Sequence, residues 1–169
     1  FFHTNKLAKR IKKIITSAYK DKSTLASATR SLIHQLFGDK GLIIIDPDSH
    51  NLKKMFASYM EDELINNTCY ECVNKTIMSI KDVYSEKYKP QVNPREINLF
   101  HLDFNSRERI IRKDSKYILS DKKLSEKEML KELNKNPENF SPNVLMRPLY
   151  QEVILPNLCY IGGSSEMSY

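Results

Sequence analysis

The sequence predicts a mixed α/β domain with a doubly wound order. Three observations carry that prediction. The run "GLIII" (Gly41 to Ile45) is apolar throughout and bounded by turn residues, the pattern of a parallel-sheet strand buried on both faces. Stretches on either side of it repeat apolar residues at helical spacing. The closing block "FSPNVLMRPLYQEVILPNLCYIGG" reads as strand, short helix, strand and glycine turn.

Taken in order, residues 4–20 form an amphipathic helix. Leu7, Ile11, Ile14 and Ala18 make its stripe, and the lysines of "KLAKRIKK" make its wet face. Ser23 or Thr24 caps a second helix, along which Leu25, Ala28, Leu32 and Leu36 repeat. Gly38 is placed to stop it in the left-handed conformation. The strand at 41–45 then runs to Asp46-Pro47-Asp48, because proline cannot donate to a ladder.

Ser49 opens a long helical region. Leu52, Met55, Phe56 and Tyr59 form one stripe, and Val73, Ile77, Ile80 and Tyr84 a later one. Asn66-Asn67-Thr68 lies between them as a kink or a break, which leaves one bent helix or two. Residues 88–123 change character. "EINLFHLD", "RERIIRKD" and "SKYILSD" are short and rich in β-branched and aromatic residues, with turn signals at Asn105-Ser106 and Asp114-Ser115. They read as an antiparallel meander or an insertion of two or three strands.

Ser125-x-x-Glu128 is a capping box ahead of Met129, Leu130 and Leu133, and Pro137 closes that helix. Asn143 to Met146 reads as a short buried strand. Pro148 to Leu155 reads as a helix, with proline in its first turn. "LCYI" is a further strand, and Ser164, Ser165 and Glu166 start one more helix beyond Gly162-Gly163.

Composition narrows the function classes. A chain of 169 residues buries roughly 70% of its unfolded surface, enough for one domain. Its net charge of +6 favours anionic partners. The 27 basic and 21 acidic residues are nevertheless spread out, which equally describes a mixed soluble surface. The apolar runs are too short to cross a bilayer, and no basic region followed by an apolar one opens the chain. A cytoplasmic location with no membrane partner is therefore expected. A start at Phe1-Phe2 rather than Met suggests an excised piece.

Cys69 and Cys72 have metal or redox spacing, but they fall in a helical pattern with no second pair. With Cys159 they make an odd count, which fits structural thiols in a reducing compartment. His3, His34, His50 and His101 are scattered, so no metal site is expected.

In open α/β sheets, ligands sit beyond the carboxyl ends of strands. Asp46 and the Gly162-Gly163-Ser164-Ser165-Glu166 loop fall there. Paired glycines let the backbone approach a ligand, and amides at a helix start bind phosphate or carboxylate. A plain strand-to-helix connection explains the same residues. Arg147 suits bidentate recognition of an anion, or an internal ion pair with Glu152 or Asp46. Gln151 and Tyr160 lie nearby in sequence. Asn98, Arg107 and Arg109 could serve a ligand, although strand-surface ion pairs explain the two arginines as well.

Longer motifs go further. "LFGDKGLIIIDPD", "REINLF" and "FSPNVLMRPLYQEVILPNLCYIGGSSE" resemble, in that order, segments of the BshC family of bacillithiol biosynthesis. The resemblance implies a Rossmann-like three-layer core, with 88–123 as a β-rich insertion. It places the chain as a single core fragment over 1–169, from the middle of the family's chain. The flanking phosphate-binding segment and the C-terminal coiled coil that dimerises the enzyme would lie outside it.

The implied activity is a ligase adding cysteine to glucosaminyl-malate. ATP or another nucleotide is the implied cofactor, because amide formation needs an activated carboxylate. The resemblance points to Glu166 and Gln151 as catalytic residues. It points to Asn143, Arg147, Tyr160, Gly162 and Gly163 as substrate-binding residues, and Ser164 and Asp46 join them from their places beyond strand ends. The competing reading is a basic non-catalytic or RNA-binding module. Aromatic residues are only 9%, tryptophan is absent and no RNA-binding motif appears, so nucleic acid is not the expected partner.

Overall fold

The computed structural model describes residues 5–20, 24–85, 87–104, 106–119, 122–165 and 167. Two compact units divide at Pro47 and Asp48.

The first unit holds two helices, α1 (Lys6–Lys20) and α2 (Leu25–Phe37). Asn5 Oδ1 accepts the amide of Leu7 at the start of α1, and Thr24 Oγ1 accepts that of Ser27 at the start of α2. Both side chains satisfy amides that an isolated helix leaves unpaired. Ala18 and Ala28 are buried, and Ser17 donates to Gln35 across the pair at 3.3 Å.

Gly38 does not stop α2 in the expected way. It keeps right-handed angles and opens a short 3-10 turn, Gly38–Lys40, while Gly41 takes the left-handed conformation at φ 79°. The expected strand at 41–45 is irregular backbone. A strand buried on both faces needs neighbours on both sides. Here Leu42 and Ile43 stand exposed.

The second unit carries the core. After Ser49 come α3 (His50–Met55), α4 (Ala57–Asn66) and α5 (Thr68–Tyr84). Ser49 makes no side-chain cap. The Asn66-Asn67-Thr68 signal is a true break, with Asn67 at φ 54° between α4 and α5. Asparagine tolerates that left-handed geometry better than most residues.

Six short strands follow: β1 (Leu99–Asp103), β2 (Ser106–Arg109), β3 (Ile111–Lys113), β4 (Lys116–Leu119), β5 (Lys122–Leu124) and β6 (Phe140–Pro142). Sheet orders are β2-β1-β6 and β3-β4-β5, and every pairing is antiparallel. The β3–β4 hairpin turns through Asp114 and Ser115, both at positive φ. That is what a two-residue turn of type I′ requires. Of the other turn signal, Asn105 lies outside the described residues. From beyond the β-rich stretch, β6 pairs with β1 at Leu99↔Pro142 and His101↔Phe140.

The capping box forms as expected on α6 (Glu126–Lys135). Ser125 and Glu128 exchange side-chain and backbone hydrogen bonds. Two apolar residues one turn apart, Met129 and Leu133, face the core. Phe56, Met60 and Leu64 meet them from the preceding helical region, at four-residue spacing. Ile97, Leu99, Ile110, Tyr117, Leu119 and Phe140 complete the strand side, with Met146 and Tyr150 beyond it. The Tyr117 hydroxyl donates to Leu64 O at 2.7 Å, so its burial strands no polar atom.

Two late expectations fail. Asn143 to Met146 is a turn rather than a strand. Asn143 Oδ1 accepts the amides of Leu145 and Met146, which are then unavailable to a ladder. "LCYI" is irregular, with Leu158 and Ile161 fully or nearly fully exposed and no partner strand among the described residues. The short helix between them does form, as α7 (Arg147–Ile154), with Pro148 in its first turn.

Candidate functional site

The site is built around β6 and the first turn of α7. Its foundation is a buried carboxylate, Glu63 of α4. Glu63 Oε1 accepts the backbone amide of Asn98 at 2.8 Å and its side-chain amide at 2.9 Å. Oε2 accepts the amide of Cys69 at 2.8 Å, at the start of α5. Burial pushes the Glu63 carboxyl above its ordinary value, while these three donors pull it back.

Asn98 then links outward. Its Nδ2 donates to Arg95 O at 2.7 Å, and its Oδ1 accepts from Asn143 Nδ2 at 2.8 Å. Asn143 O accepts the backbone amide of Arg147 at 3.0 Å. Arg147 is thus placed by a hydrogen-bonded line from Glu63 through Asn98 and Asn143.

Beside this line lie three cations. The Lys53 side chain is 1% exposed. Its ammonium donates to Phe140 O at 2.5 Å, pairs with Asp48 at 3.1 Å and faces the Tyr150 ring at 5.6 Å. Burial lowers its pKa. Asp48 opposes that shift, and the nearby charges of Arg107 and Arg147 add to it. Arg107 stacks its guanidinium on Phe100, 3.9 Å from the ring centroid, and reaches Ser141 Oγ and Pro142 O at 3.5 Å each. Its pKa is also lowered, by burial and then by Arg147. Cations close enough to lower the pKa values of Lys53 and Arg107 mark a place suited to an anion.

The ion-pair alternative for Arg147 fails for Glu152, whose Oε1 accepts from Asn157 Nδ2 at 2.9 Å instead. Arg147 is exposed and makes no ion pair among the described residues. An apolar cleft of about 400 Å³ adjoins the same turn, lined by Cys72, Ile77, Tyr88, Leu145, Pro148 and Met167.

Of the residues singled out in sequence, Asn143 and Arg147 meet here, and Gln151 follows one turn along α7. Asn98 is a buried structural link rather than a ligand group. Asp46 is half-buried in the irregular end of the first unit. Neither Gly162 nor Gly163 takes positive φ. At Gly162 the constraint is space, because a Cβ would lie 2.7 Å from the Tyr160 ring and 3.1 Å from Met167 Sδ. Ser164 lies in the turn that follows, and Glu166 lies outside the described residues. Tyr160 is 41% exposed.

Sequence reading missed Lys53 and Glu63. The signal was present, since both fall on the face that carries Phe56, Met60 and Leu64, where a charged residue needs a reason.

Cys69 is half-buried, whereas Cys72 and Cys159 are exposed. Cys69 is pushed up to about 12 by burial, then by Glu63 and Cys72. No metal-holding group of His, Cys, Asp and Glu occurs among the described residues. No helix among them is long and apolar enough to cross a membrane.

Comparison with known proteins agrees with the motif resemblance. The family model described as "Bacillithiol biosynthesis BshC, N-terminal Rossmann-like domain" matches residues 2–169. A Flavobacterium johnsoniae protein named "Putative cysteine ligase BshC" is 49% identical over 164 residues, 96% of this chain and 30% of the relative. Proteins of the same name from Christiangramia forsetii and Cytophaga hutchinsonii are 43% and 41% identical, over 96% and 92% of this chain. Each match covers 30% of the relative's own length. With a match over nearly its whole length, the chain belongs to the BshC family, through that family's N-terminal Rossmann-like domain.

Proposed function

We propose that the full protein is a cytoplasmic ligase joining cysteine to glucosaminyl-malate, the last step of bacillithiol formation. This chain contributes a wall of its small-molecule site. The relatives' shared name supports the ligase reading. The observation that carries the site is the placement of Arg147 by Asn143, beside Lys53 and Arg107.

The proposed roles follow from the donors. Arg147, with the amides around Gly162, Gly163 and Ser164, holds a malate carboxylate or a phosphate. Gln151 or Glu166 orients the reacting amine or a hydroxyl, and Tyr160 completes the substrate contacts. The cationic cluster fits a polyanion such as ATP, and Lys53, Arg107 and Arg147 would hold it. A bound nucleotide supplies the carboxylate activation that amide formation needs. Chemistry of this kind depends on positioning and charge neutralisation more than on a protein nucleophile. The coiled coil and the homodimer it forms belong to the remainder of the family's chain.

The test uses the full-length protein with glucosaminyl-malate, cysteine and ATP. Bacillithiol appears by mass spectrometry, and Arg147→Ala lowers kcat/KM at least tenfold. A strain lacking the gene with unchanged bacillithiol overturns the reading.

A further inference from the structure

Three cations converge on the β6–α7 corner, and Asp48 pairs with one of them. Lys53 is enclosed by Phe140 O, Asp48 and the Tyr150 ring. The Asp48 side chain is 57% exposed, so it reaches the ammonium from the solvent side. Arg107 is fixed by its stack on Phe100, yet its hydrogen bonds to Ser141 and Pro142 are at the 3.5 Å limit. A guanidinium has five N–H donors, and two long contacts leave most of that capacity unused. Arg147 starts α7 with its side chain exposed and makes no ion pair among the described residues. Asp48 is the acid that opposes the pKa depression of both Lys53 and Arg107. Neither Arg107 nor Arg147 makes an ion pair with a carboxylate among the described residues.

We propose that Lys53, Arg107 and Arg147 form the receptor for one carboxylate or phosphate group, and that Asp48 is the resident anion which this group displaces. The proposal rests on the reading of these three cations as anion-binding residues and adds Asp48 as the anion that the ligand displaces. The physical logic is substitution. Like charges gathered around a buried ammonium are costly, and Asp48 lowers that cost without removing it. An arriving dianion neutralises the cluster more fully and displaces Asp48 from the ammonium toward the solvent that its side chain already faces. Arg107 supplies the planar fork suited to an anion's two oxygens, and Lys53 a point charge at its base. Asp48 thereby sets a threshold. A weakly charged ligand does not displace it, whereas a dianion does.

The experiment is calorimetric titration of the full-length protein with two probes, disodium malate and sodium phosphate, at neutral pH and low ionic strength. The wild type binds at least one of them, and the tighter probe identifies whether a carboxylate or a phosphate is the natural group. Arg107→Ala weakens that binding at least tenfold. Asp48→Asn strengthens it at least threefold, because the competing charge is gone while the shape remains. Lys53→Met weakens it too. If that variant does not fold, the other two carry the test, since both alter largely exposed side chains. No binding of either probe, unchanged affinity in Arg107→Ala, or unchanged or weaker affinity in Asp48→Asn overturns the proposal. Bacillithiol formation by the same protein decides the ligase reading separately, so one can fail without the other.

Discussion

Asn143 donates its side-chain amide to Asn98 Oδ1 at 2.8 Å, and its backbone amide to Asn98 O at 2.9 Å. Two residues far apart in sequence are joined twice, once through side chains and once through backbone. The pair ties the turn before α7 to the segment that enters β1, so it sets where Arg147 begins. Replacing Asn98 by Ala removes a side chain that donates to Glu63 Oε1 and Arg95 O and accepts from Asn143 Nδ2 and the Arg95 amide. The expected loss is about 3 kcal/mol, since buried donors and acceptors are left unpaired. Asn143→Ala, in a half-buried turn, loses about 1–2 kcal/mol by the same reasoning. Urea unfolding of the full-length protein measures both, and the reverse order would contradict the network.

Glu63→Gln keeps the shape and removes the charge. Both Glu63 oxygens accept hydrogen bonds, from Asn98 on one side and Cys69 on the other. A glutamine must turn its NH₂ toward one of those donors. The variant therefore loses about 1–3 kcal/mol, despite relief of a buried charge. A variant as stable as wild type in urea would show that desolvation of the carboxylate outweighs its three bonds.

Lys53 gives stability a pH dependence. Its folded pKa is lowered from 10.5, chiefly by burial. In the window between the lowered value and 10.5, the unfolded chain binds more protons than the folded one, so this contribution rises with pH. Wild-type stability measured in urea as pH approaches 10 should therefore gain relative to Lys53→Met. The two lines running parallel would remove the buried ammonium from the account.

The thiols should separate chemically. Cys69 is pushed up to about 12, whereas Cys72 and Cys159 are exposed. Alkylation proceeds through the thiolate. Iodoacetamide at pH 8 should then modify Cys69 at least a hundredfold more slowly than Cys72, read by mass spectrometry of the peptides. Equal rates would place Cys69 in a more open setting than α5 provides.

Ser125→Ala tests the fold away from the site. It removes the hydroxyl that accepts the Glu128 amide and leaves Met129 and Leu133 in place. A loss of about 1 kcal/mol is expected, with ligase activity unchanged. Loss of activity without loss of stability would tie α6 to the site.

Local signals in the sequence determined local structure. The Ser125–Glu128 box, the Thr24 cap, the Asn67 break and the Asp114-Ser115 turn all act through hydrogen bonds or φ preferences within a few residues. Those forces are complete in the sequence itself, so they are legible there. The long motifs, likewise continuous in sequence, identified the family.

Strand pairing was a different matter. "GLIII", "NVLM" and "LCYI" have strand composition, yet none is a strand, while Phe140–Pro142 is one. A strand is defined by its neighbour, and composition does not name the neighbour. The site divided the same way. Arg147 stood out because a cation before Pro148 in an apolar stretch is conspicuous. Lys53, Arg107 and Asp48 became its companions only when β6 brought Phe140, Ser141 and Pro142 between them. Charge clustering depends on distance through space, and only the tertiary fold sets that distance.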